Sequence, residues 1–152
     1  MQHSLRAIPK WLIGLLIVVA GIGFADATYL TIEHYTNANP PCFVGSCEVV
    51  LNSPYSTIAG VPVALFGAVY YLFILVGLVV FLESKKEGAL RVALFATVVG
   101  FLASLYFFIL QAFVLHAFCQ YCLGSATTST VLFVIAVYII VTSRKQSGVT
   151  TM

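Results

Sequence analysis

Charged side chains are scarce in this sequence of 152 residues, which holds seven Lys or Arg and five Asp or Glu, 8% of the chain. Hydrophobic residues make up 61%, and the mean hydropathy is +1.06. A water-soluble domain of this length cannot hide so much apolar surface, so the composition excludes a soluble fold. The net charge of +2 is too small to favour nucleic acid, so we predict no nucleic-acid partner.

The sequence also lacks low-complexity tracts, linkers and repeats of solenoid length, so we predict a single membrane domain over residues 1–152. A helix needs about 20 apolar residues to cross a bilayer, and four stretches are long enough. The predicted fold is an all-α integral membrane bundle of four transmembrane helices surrounded by membrane lipid, with spans near 11–31, 62–82, 92–116 and 119–142. Residues 32–61 form a loop rich in turn residues, within which 46–51 are predicted to form a short helix.

Lysine and arginine are missing from two of the three connections between the spans. The basic residues lie before span one, between spans two and three, or after span four, at Arg6, Lys10, Lys85, Lys86, Arg91, Arg144 and Lys145. Because basic loops stay on the cytoplasmic side, we predict a multi-pass protein of the cell membrane with both termini cytoplasmic. The other two connections carry all four cysteines and then lie on the extracytoplasmic side, where disulfides form.

The cysteines form two close pairs, Cys42 with Cys47 and Cys119 with Cys122. Cys119 and Cys122 lie at the predicted start of span four, where residues at positions i and i+3 share one face of a helix. A helix amino terminus stabilises a thiolate, and C-x-x-C pairs at such sites have lowered thiol pKa values. This pattern is typical of reversible thiol–disulfide exchange rather than of a permanent cross-link.

Cys42 and Cys47 lie in a loop that contains Gly45 and begins with two prolines. Their spacing closes a small ring easily, and a flexible pair exposed to water suits a shuttle. We predict that the loop exchanges with a soluble thiol protein and then swings, so that one of its cysteines attacks the pair at the membrane surface. The second pair can pass two electrons to a lipophilic acceptor, and a quinone is the obvious small molecule of this kind.

Two roles without redox chemistry remain open for the cysteines. Two permanent disulfides would account for four cysteines in an oxidising compartment, although a four-helix membrane bundle does not need such short staples. A zinc ion held by all four thiols would also use the C-x-x-C spacing, although the wider loop pair fits such a site poorly. We favour the redox relay and predict no metal site.

The order and spacing of several motifs match a known family. They are Cys42, Cys47, Ser53-Pro54-Tyr55, Gly60-Val61-Pro62, Phe66-Gly67, and the C-x-x-C of Cys119 and Cys122. Over roughly residues 14–141 the sequence resembles the prokaryotic branch of the vitamin K epoxide reductase family. The resemblance implies a four-helix bundle around a quinone, capped on its outer side by the loop and a short helix. Many bacterial members carry a fused thioredoxin-like domain, which this sequence is expected to lack, so its partner would be a separate thioredoxin-like or DsbA-like thiol protein.

The resemblance also implies a role for each cysteine. Cys122 would face and react with the quinone, Cys119 would exchange with Cys47, and Cys42 would meet the soluble partner. Ser53 would belong to the short loop helix that caps the quinone pocket.

Two positions depart from the animal members of the family. Those members carry an asparagine near the start of the second span and a tyrosine four residues after the C-x-x-C, and both side chains bond the quinone carbonyls. The aligned residues here are Val63 and Ala126, which cannot donate a side-chain hydrogen bond. An ordinary ubiquinone or menaquinone is therefore favoured over a vitamin K type substrate.

Further candidates for the quinone site lie near the motifs. Gln111 and His116 are candidate ligands of a quinone oxygen, although a lone histidine at a membrane interface is more often an ordinary interfacial residue. Tyr121, between the two cysteines, is a third candidate. An apolar pocket for the quinone ring is predicted to be lined by Phe66, Phe113 and Phe118.

Asp26 is an ionisable residue in the outer part of span one, where a charge is costly and marks a functional candidate by default. Quinone reduction consumes two protons, so proton transfer is one candidate role. The simpler interpretation, which we favour from sequence, is that Asp26 reaches the interface or pairs with a neighbouring helix.

These patterns predict a thiol:quinone oxidoreductase that keeps an external thioredoxin-like oxidase oxidised and so supports disulfide-bond formation. Reduction of vitamin K quinone or its epoxide is the alternative within the same family. The unrelated DsbB type also has four helices and two outward pairs, but carries the pairs in the reverse order. From another class, a non-enzymatic membrane protein with structural disulfides remains open.

Overall fold

A computed structural model describes residues 8–36, 40–43 and 45–149, with side chains described up to residue 143. The helices of this part of the chain are α1 (Lys10–Thr36), a short α2 (Cys47–Leu51), α3 (Val63–Ser84), α4 (Glu87–Ile109) and α5 (Gln120–Val149). A π-helical turn over Leu110–Val114 continues α4. The predicted bundle of four membrane-length helices is confirmed.

The long helices extend beyond the apolar stretches that predict them. α1 continues to Thr36 rather than ending at 31, and α4 begins at Glu87 rather than at 92. Hydropathy marks only the part of a helix that lies in hydrocarbon, whereas its backbone hydrogen bonds continue into the polar region. Lys85 has a left-handed backbone with a φ of 50° and ends α3, which allows a short connection to α4.

The four long helices form a closed ring. α1 packs against α3 and α5, and α4 packs against the same two helices from the other side. The buried core between them is apolar and includes Leu16 of α1, Ile74 and Leu78 of α3, and Leu132 of α5. In a bilayer, close packing and hydrogen bonds hold helices together, because the lipid tails are as apolar as these side chains.

Tyr71 of α3 contributes both close packing and hydrogen bonds between helices. Its ring packs directly on the backbone of Gly23 in α1, where a Cβ atom would overlap it. Its hydroxyl lies within hydrogen-bond distance of three hydroxyls of α5, at 3.1, 2.7 and 3.0 Å from those of Ser125, Thr128 and Ser129. One tyrosine thus ties α1, α3 and α5 into a single layer.

Apolar side chains also cover the outside of the bundle. Val18, Val69, Val99 and Val134, one on each long helix, are all more than half exposed. Each of these helices is long and apolar enough to cross a membrane. A helix that is apolar on all sides suits a lipid surrounding, so the protein is a multi-pass membrane protein.

One end of the bundle carries the cysteines and is called here the cysteine end; it comprises residues 40–43, 45–62 and 115–122. It contains α2, a 3₁₀ turn over Pro54–Ser56, and a hairpin of β1 (Thr57–Ile58) and β2 (Val61–Pro62). In this antiparallel hairpin Thr57 pairs with Pro62 and Ile58 with Val61. Ala59 and Gly60 both have a positive φ, as a tight two-residue turn requires. The short helix predicted within the loop is confirmed as α2.

Candidate redox site at the cysteine end

The loop pair is a disulfide: Cys42 and Cys47 are bonded, and their Cα atoms are 6.0 Å apart. Cys47 begins α2, and its backbone N–H donates a hydrogen bond to Cys42 Sγ at 3.3 Å. The two residues differ in exposure, because Cys42 is partly exposed whereas Cys47 is only 1% exposed. A thiol protein in solution can therefore approach Cys42 far more readily than Cys47.

The segment between these cysteines is docked against the turn that precedes α5. Gly45 pairs with Cys119 in an antiparallel β-bridge, and the Ser46 N–H donates to the Phe118 carbonyl at 2.8 Å. Glycine is required at position 45 because its φ is +92° and because the Phe118 carbonyl oxygen occupies the place of a Cβ atom. The bridge therefore fixes the loop pair beside Cys119.

Side chains at the start of α5 hold the loop on both sides of Cys42. Gln120 accepts a hydrogen bond from the Phe43 N–H at 3.2 Å and donates one to the Pro41 carbonyl at 3.3 Å. The Tyr121 hydroxyl also donates to the Pro41 carbonyl, at 3.0 Å. The loop pair is thus docked beside the inner cysteines in this structure, and the predicted swing of the loop stays a prediction.

The inner pair, Cys119 and Cys122, consists of two free thiols. Cys119 lies just before α5 and is fully buried, and its backbone N–H donates a hydrogen bond to Gln111 Oε1 at 2.9 Å. Cys119 and Cys47 belong to the same small buried cluster at the cysteine end. The buried members of the two pairs thus lie in the same cluster.

The Cys119 thiol is shifted toward its thiolate form. The hydrogen bond from the Cys122 thiol lowers the pKa of Cys119 to about 7 from an ordinary 9.0; burial opposes this, and the backbone N–H groups of Cys122 and Tyr121 support it. These N–H groups belong to the first turn of α5. The pKa of Cys119 is thus shifted in the direction expected for a thiol at this helix start.

We expect ionisation of Cys119 to follow this pKa. In a Cys42→Ser/Cys47→Ser protein, the ultraviolet absorbance of the thiolate should increase with rising pH and reach half its maximal change near pH 7. Ultraviolet absorbance over a pH series measures the midpoint. Cys122→Ala should move it upward toward 9.0, and an unchanged midpoint would show that Cys122 does not cause the shift.

A cavity of about 340 Å³ adjoins the cysteine end, with walls from all four long helices and from the loop. This volume is typical of small-molecule sites, and most of the wall is apolar. Of the four cysteines, Cys122 alone lines the cavity. Three of the residues predicted for a quinone site also line it, namely Ser53, Phe66 and Gln111.

Ser53 and Gln111 already have partners at the cavity wall. The resemblance implied that Ser53 belongs to the short loop helix, but Ser53 follows α2. Its hydroxyl donates a hydrogen bond to the Val50 carbonyl at 2.7 Å. Gln111 lies in the π-helical turn and uses its amide oxygen for the backbone of Cys119. Gln111 therefore positions the inner pair as well as lining the cavity.

The remaining predicted pocket residues lie outside the cavity wall: His116, Tyr121, Phe113 and Phe118. His116 follows the end of the π-helical turn, is exposed and has a φ of 48°. Tyr121 contacts the loop instead, through Pro41. Proximity to the cysteines along the chain does not bring these side chains to the wall of this cavity, and their role at a quinone site stays a prediction.

The sequence of this chain matches a known protein family. The model of the vitamin K epoxide reductase family matches residues 14–137. The chain belongs to this family. The resemblance seen in the cysteine motifs is thereby confirmed.

A curated protein similar to this family member is the thiol-disulfide oxidoreductase LTO1 of Arabidopsis thaliana, which is 36% identical over 123 residues. The matched region covers 74% of this chain and 32% of that relative. The chain therefore spans about a third of the length of the plant protein.

Both departures from the animal members of the vitamin K epoxide reductase family lie on the cavity wall. Val63 begins α3 and Ala126 lies on α5, and both line the cavity. The wall therefore lacks side-chain hydrogen-bond donors at these two positions.

Asp26 also lines the cavity. Its Oδ2 atom is buried and has no hydrogen-bond partner in the described part of the chain. Oδ2 therefore shows no pairing with a neighbouring helix among the described residues, whereas the other form of the simpler interpretation, in which Asp26 reaches the interface, stays a prediction.

Two residues that hold the loop in place, Gly45 and Gln120, were not among the predicted site residues. Gly45 lies between Cys42 and Cys47, and a glycine at such a position can indicate that another backbone segment packs closely against it. A single glycine is equally typical of a flexible loop. Gln120 carries no signal of its own, because its role depends on loop residues about 80 positions earlier.

The arrangement of possible metal ligands offers no support for the zinc alternative. In residues 8–36, 40–43 and 45–143, no three His, Cys, Asp or Glu side chains are grouped so as to hold a metal ion. The cysteines are instead divided between a disulfide and a thiol pair.

Proposed function

We propose that the protein is a membrane thiol:quinone oxidoreductase that supports disulfide-bond formation. Its family and the name of its plant relative support the oxidoreductase class. The observation that carries the proposal is the order of the cysteines: Cys42 is partly exposed, Cys47 and Cys119 are buried together, and Cys122 lines the cavity. Electrons that enter at the surface can pass inward by exchange between neighbouring sulfurs.

The first step is reduction of the loop disulfide by a thioredoxin-like or DsbA-like partner. A thiolate of the partner attacks Cys42, the more exposed sulfur, and Cys47 leaves. The second thiol of the partner then resolves the mixed disulfide. Two electrons and two protons have moved, so that the partner is a disulfide and the loop pair is a dithiol.

The second step is transfer from the loop pair to an oxidised inner pair. Cys47 attacks Cys119, and Cys122 leaves as a thiol; Cys42 then resolves the new bond, so that the loop disulfide forms again. The bonding pattern of the structure, a loop disulfide beside two inner thiols, supports this order.

The cavity suits a quinone headgroup in size and chemistry. A quinone bound there supplies an acceptor for two electrons and two protons. Phe66 and other apolar side chains of the wall would hold its ring, and Cys122 would lie beside it. Because Val63 and Ala126 offer no hydrogen bond, ubiquinone or menaquinone is favoured over vitamin K quinone or its epoxide.

A second cavity of about 310 Å³ supports entry from the lipid phase. It lies between α4 and α5 and shares Ser104, Phe108, Leu123 and Ala126 with the first cavity. Its wall is mostly apolar. A lipophilic molecule would thus have a route from the bilayer to Cys122.

The positions of the basic residues support an extracytoplasmic place for the relay. Lys85, Lys86 and Arg91 lie around the short connection between α3 and α4, whereas the cysteine end has no lysine or arginine. By the positive-inside rule, both termini and this connection would be cytoplasmic. The cysteines would then face the compartment in which proteins acquire disulfides.

Quinol formation by the purified protein tests the proposal. In lipid vesicles, with a reduced thioredoxin-like donor, the protein should convert a ubiquinone or menaquinone analogue to its quinol, while an equal amount of donor becomes oxidised. Absorbance of the quinone and thiol counting of the donor measure the two products. The controls omit the protein or replace the quinone with vitamin K epoxide. Background rates with every quinone, together with cysteines that resist mild reductant, would favour structural disulfides instead.

A further inference from the structure

A second reactive group besides Cys122 faces the cavity. Asp26 lines its wall, and its Oδ2 atom is buried without a hydrogen-bond partner in the described part of the chain. A carboxylate without a partner is costly in an apolar environment, so an ionisable residue inside a membrane helix calls for a functional explanation.

Few other titratable groups surround the cavity. Those that line it are His34 on α1, Tyr55 in the loop, Tyr70 and Tyr71 on α3, and Cys122 on α5, whereas α4 contributes no titratable side chain. No lysine or arginine lines the described wall, so no cation there neutralises Asp26. Asp26 interacts electrostatically with both inner thiols, Cys119 and Cys122.

We propose that Asp26 transfers protons between the inner thiol pair and the oxygen of a quinone bound beside Cys122, an inference that rests on the proposed function. When Cys119 and Cys122 form their disulfide, two S–H bonds break, one S–S bond forms, and two electrons and two protons are released. Conversion of a quinone to its quinol consumes the same numbers. Asp26 in its acid form gives one proton to a quinone oxygen and regains one from the inner thiols. The second proton exchanges with solvent at the mouth of the cavity, where exposed His34 lines the wall.

The composition of the wall supports this assignment. Val63 and Ala126 provide neither a hydrogen bond nor a proton, and the hydroxyl of Tyr71 is already engaged by hydroxyls of α5. Tyrosine hydroxyls such as that of Tyr70 give up a proton far less readily than a carboxyl group does. Asp26 is thus the group on this wall best suited to exchange protons with a thiol.

Replacing the carboxyl group with an amide tests the assignment. With a small dithiol as reductant, Asp26→Asn should slow quinone reduction by roughly 10²-fold and flatten its pH profile, because an amide cannot act as an acid. Asp26→Glu should restore most of the rate. Glu83→Gln, which removes the same charge from an exposed position at the far end of α3, is the matched control and should keep the wild-type rate.

The possible outcomes separate the two proposals. If the wild-type protein reduces quinone and Asp26→Asn does so at the same rate, the assignment of Asp26 is overturned and the proposed function stands. If the wild-type protein reduces no quinone, both proposals fall. The thermal unfolding temperature of Asp26→Asn should match that of the wild type, because Oδ2 of Asp26 makes no hydrogen bond within the described residues that stabilises the fold.

An infrared measurement tests Asp26 without any quinone. In a Cys42→Ser/Cys47→Ser protein, the difference spectrum between the dithiol and disulfide forms of the inner pair should contain a carboxylic-acid C=O band. That band should be absent in Asp26→Asn and present in Glu83→Gln. A wild-type inner pair without this band, or a band that persists in Asp26→Asn, would overturn the assignment.

Discussion

Cys122→Ser is expected to abolish quinone reduction with every reductant, by on the order of 10³-fold or more, as removal of a nucleophile commonly does. Cys122 alone among the cysteines lines the cavity, so no other sulfur can take its place. A serine hydroxyl fills similar space but cannot release electrons by forming a disulfide. Quinol formation should be measured with a thioredoxin-like donor and with a small dithiol.

Cys42→Ser is the matched control, because it alters the opposite end of the relay. Reduction driven by the thioredoxin-like donor should stop, whereas reduction driven by a small dithiol that bypasses the loop should continue. Without the dithiol, a disulfide between Cys47 and Cys119 should accumulate, since Cys42 no longer resolves it, and peptide mass spectrometry detects this bond. Equal losses in Cys42→Ser and Cys122→Ser under the small dithiol would contradict the proposed order.

Gly45→Ala is expected to slow donor-driven quinone reduction by roughly 10²-fold, the usual cost of misplacing reacting groups by about 1 Å. The added Cβ would overlap the Phe118 carbonyl oxygen, and the φ of +92° strains any other residue. The loop must then give up its bridge to Cys119 and the hydrogen bond from Ser46. Reduction driven by a small dithiol should be unaffected, because the cavity and Cys122 are unchanged.

Gly60→Ala provides the control for backbone strain. Gly60 also has a positive φ, +81°, but no atom lies within 4 Å of the place its Cβ would take. Both substitutions carry strain of about 1–2 kcal/mol, which thermal unfolding in detergent reports. A donor-driven rate that falls equally in the two variants would show that docking of the loop against Cys119 does not limit the relay.

The fold and the position of Cys119 and Cys122 at a helix start could be predicted because both depend on patterns along the chain. Each span is an uninterrupted apolar run, and the short turn before α5 places Cys119 and Cys122 at a helix start. Phe66 and Gln111 reach the cavity because they lie near the ends of their helices next to the cysteine end. Such positions can be counted from sequence without knowing how a helix is rotated.

The rotation of each helix could not be predicted. Membrane helices are apolar on all sides, so hydropathy does not identify the face that meets the cavity. Asp26 therefore resembles an interfacial residue in the sequence, although α1 presents it to the cavity. Tyr121 is adjacent to Cys122 along the chain but lies about 100° away around α5, which directs it to the loop.

In the proposed relay, the burial of Cys47 and Cys119 would limit side reactions of the two central sulfurs. Thiol proteins in the surrounding water can meet Cys42 but not the two central sulfurs, which are 1% and 0% exposed. A lipophilic oxidant bound in the cavity would meet Cys122 from the other side. In the proposed relay, reductant and oxidant would thus meet different sulfurs, and the Gly45 bridge would help to prevent a short circuit between aqueous thiol proteins and the membrane.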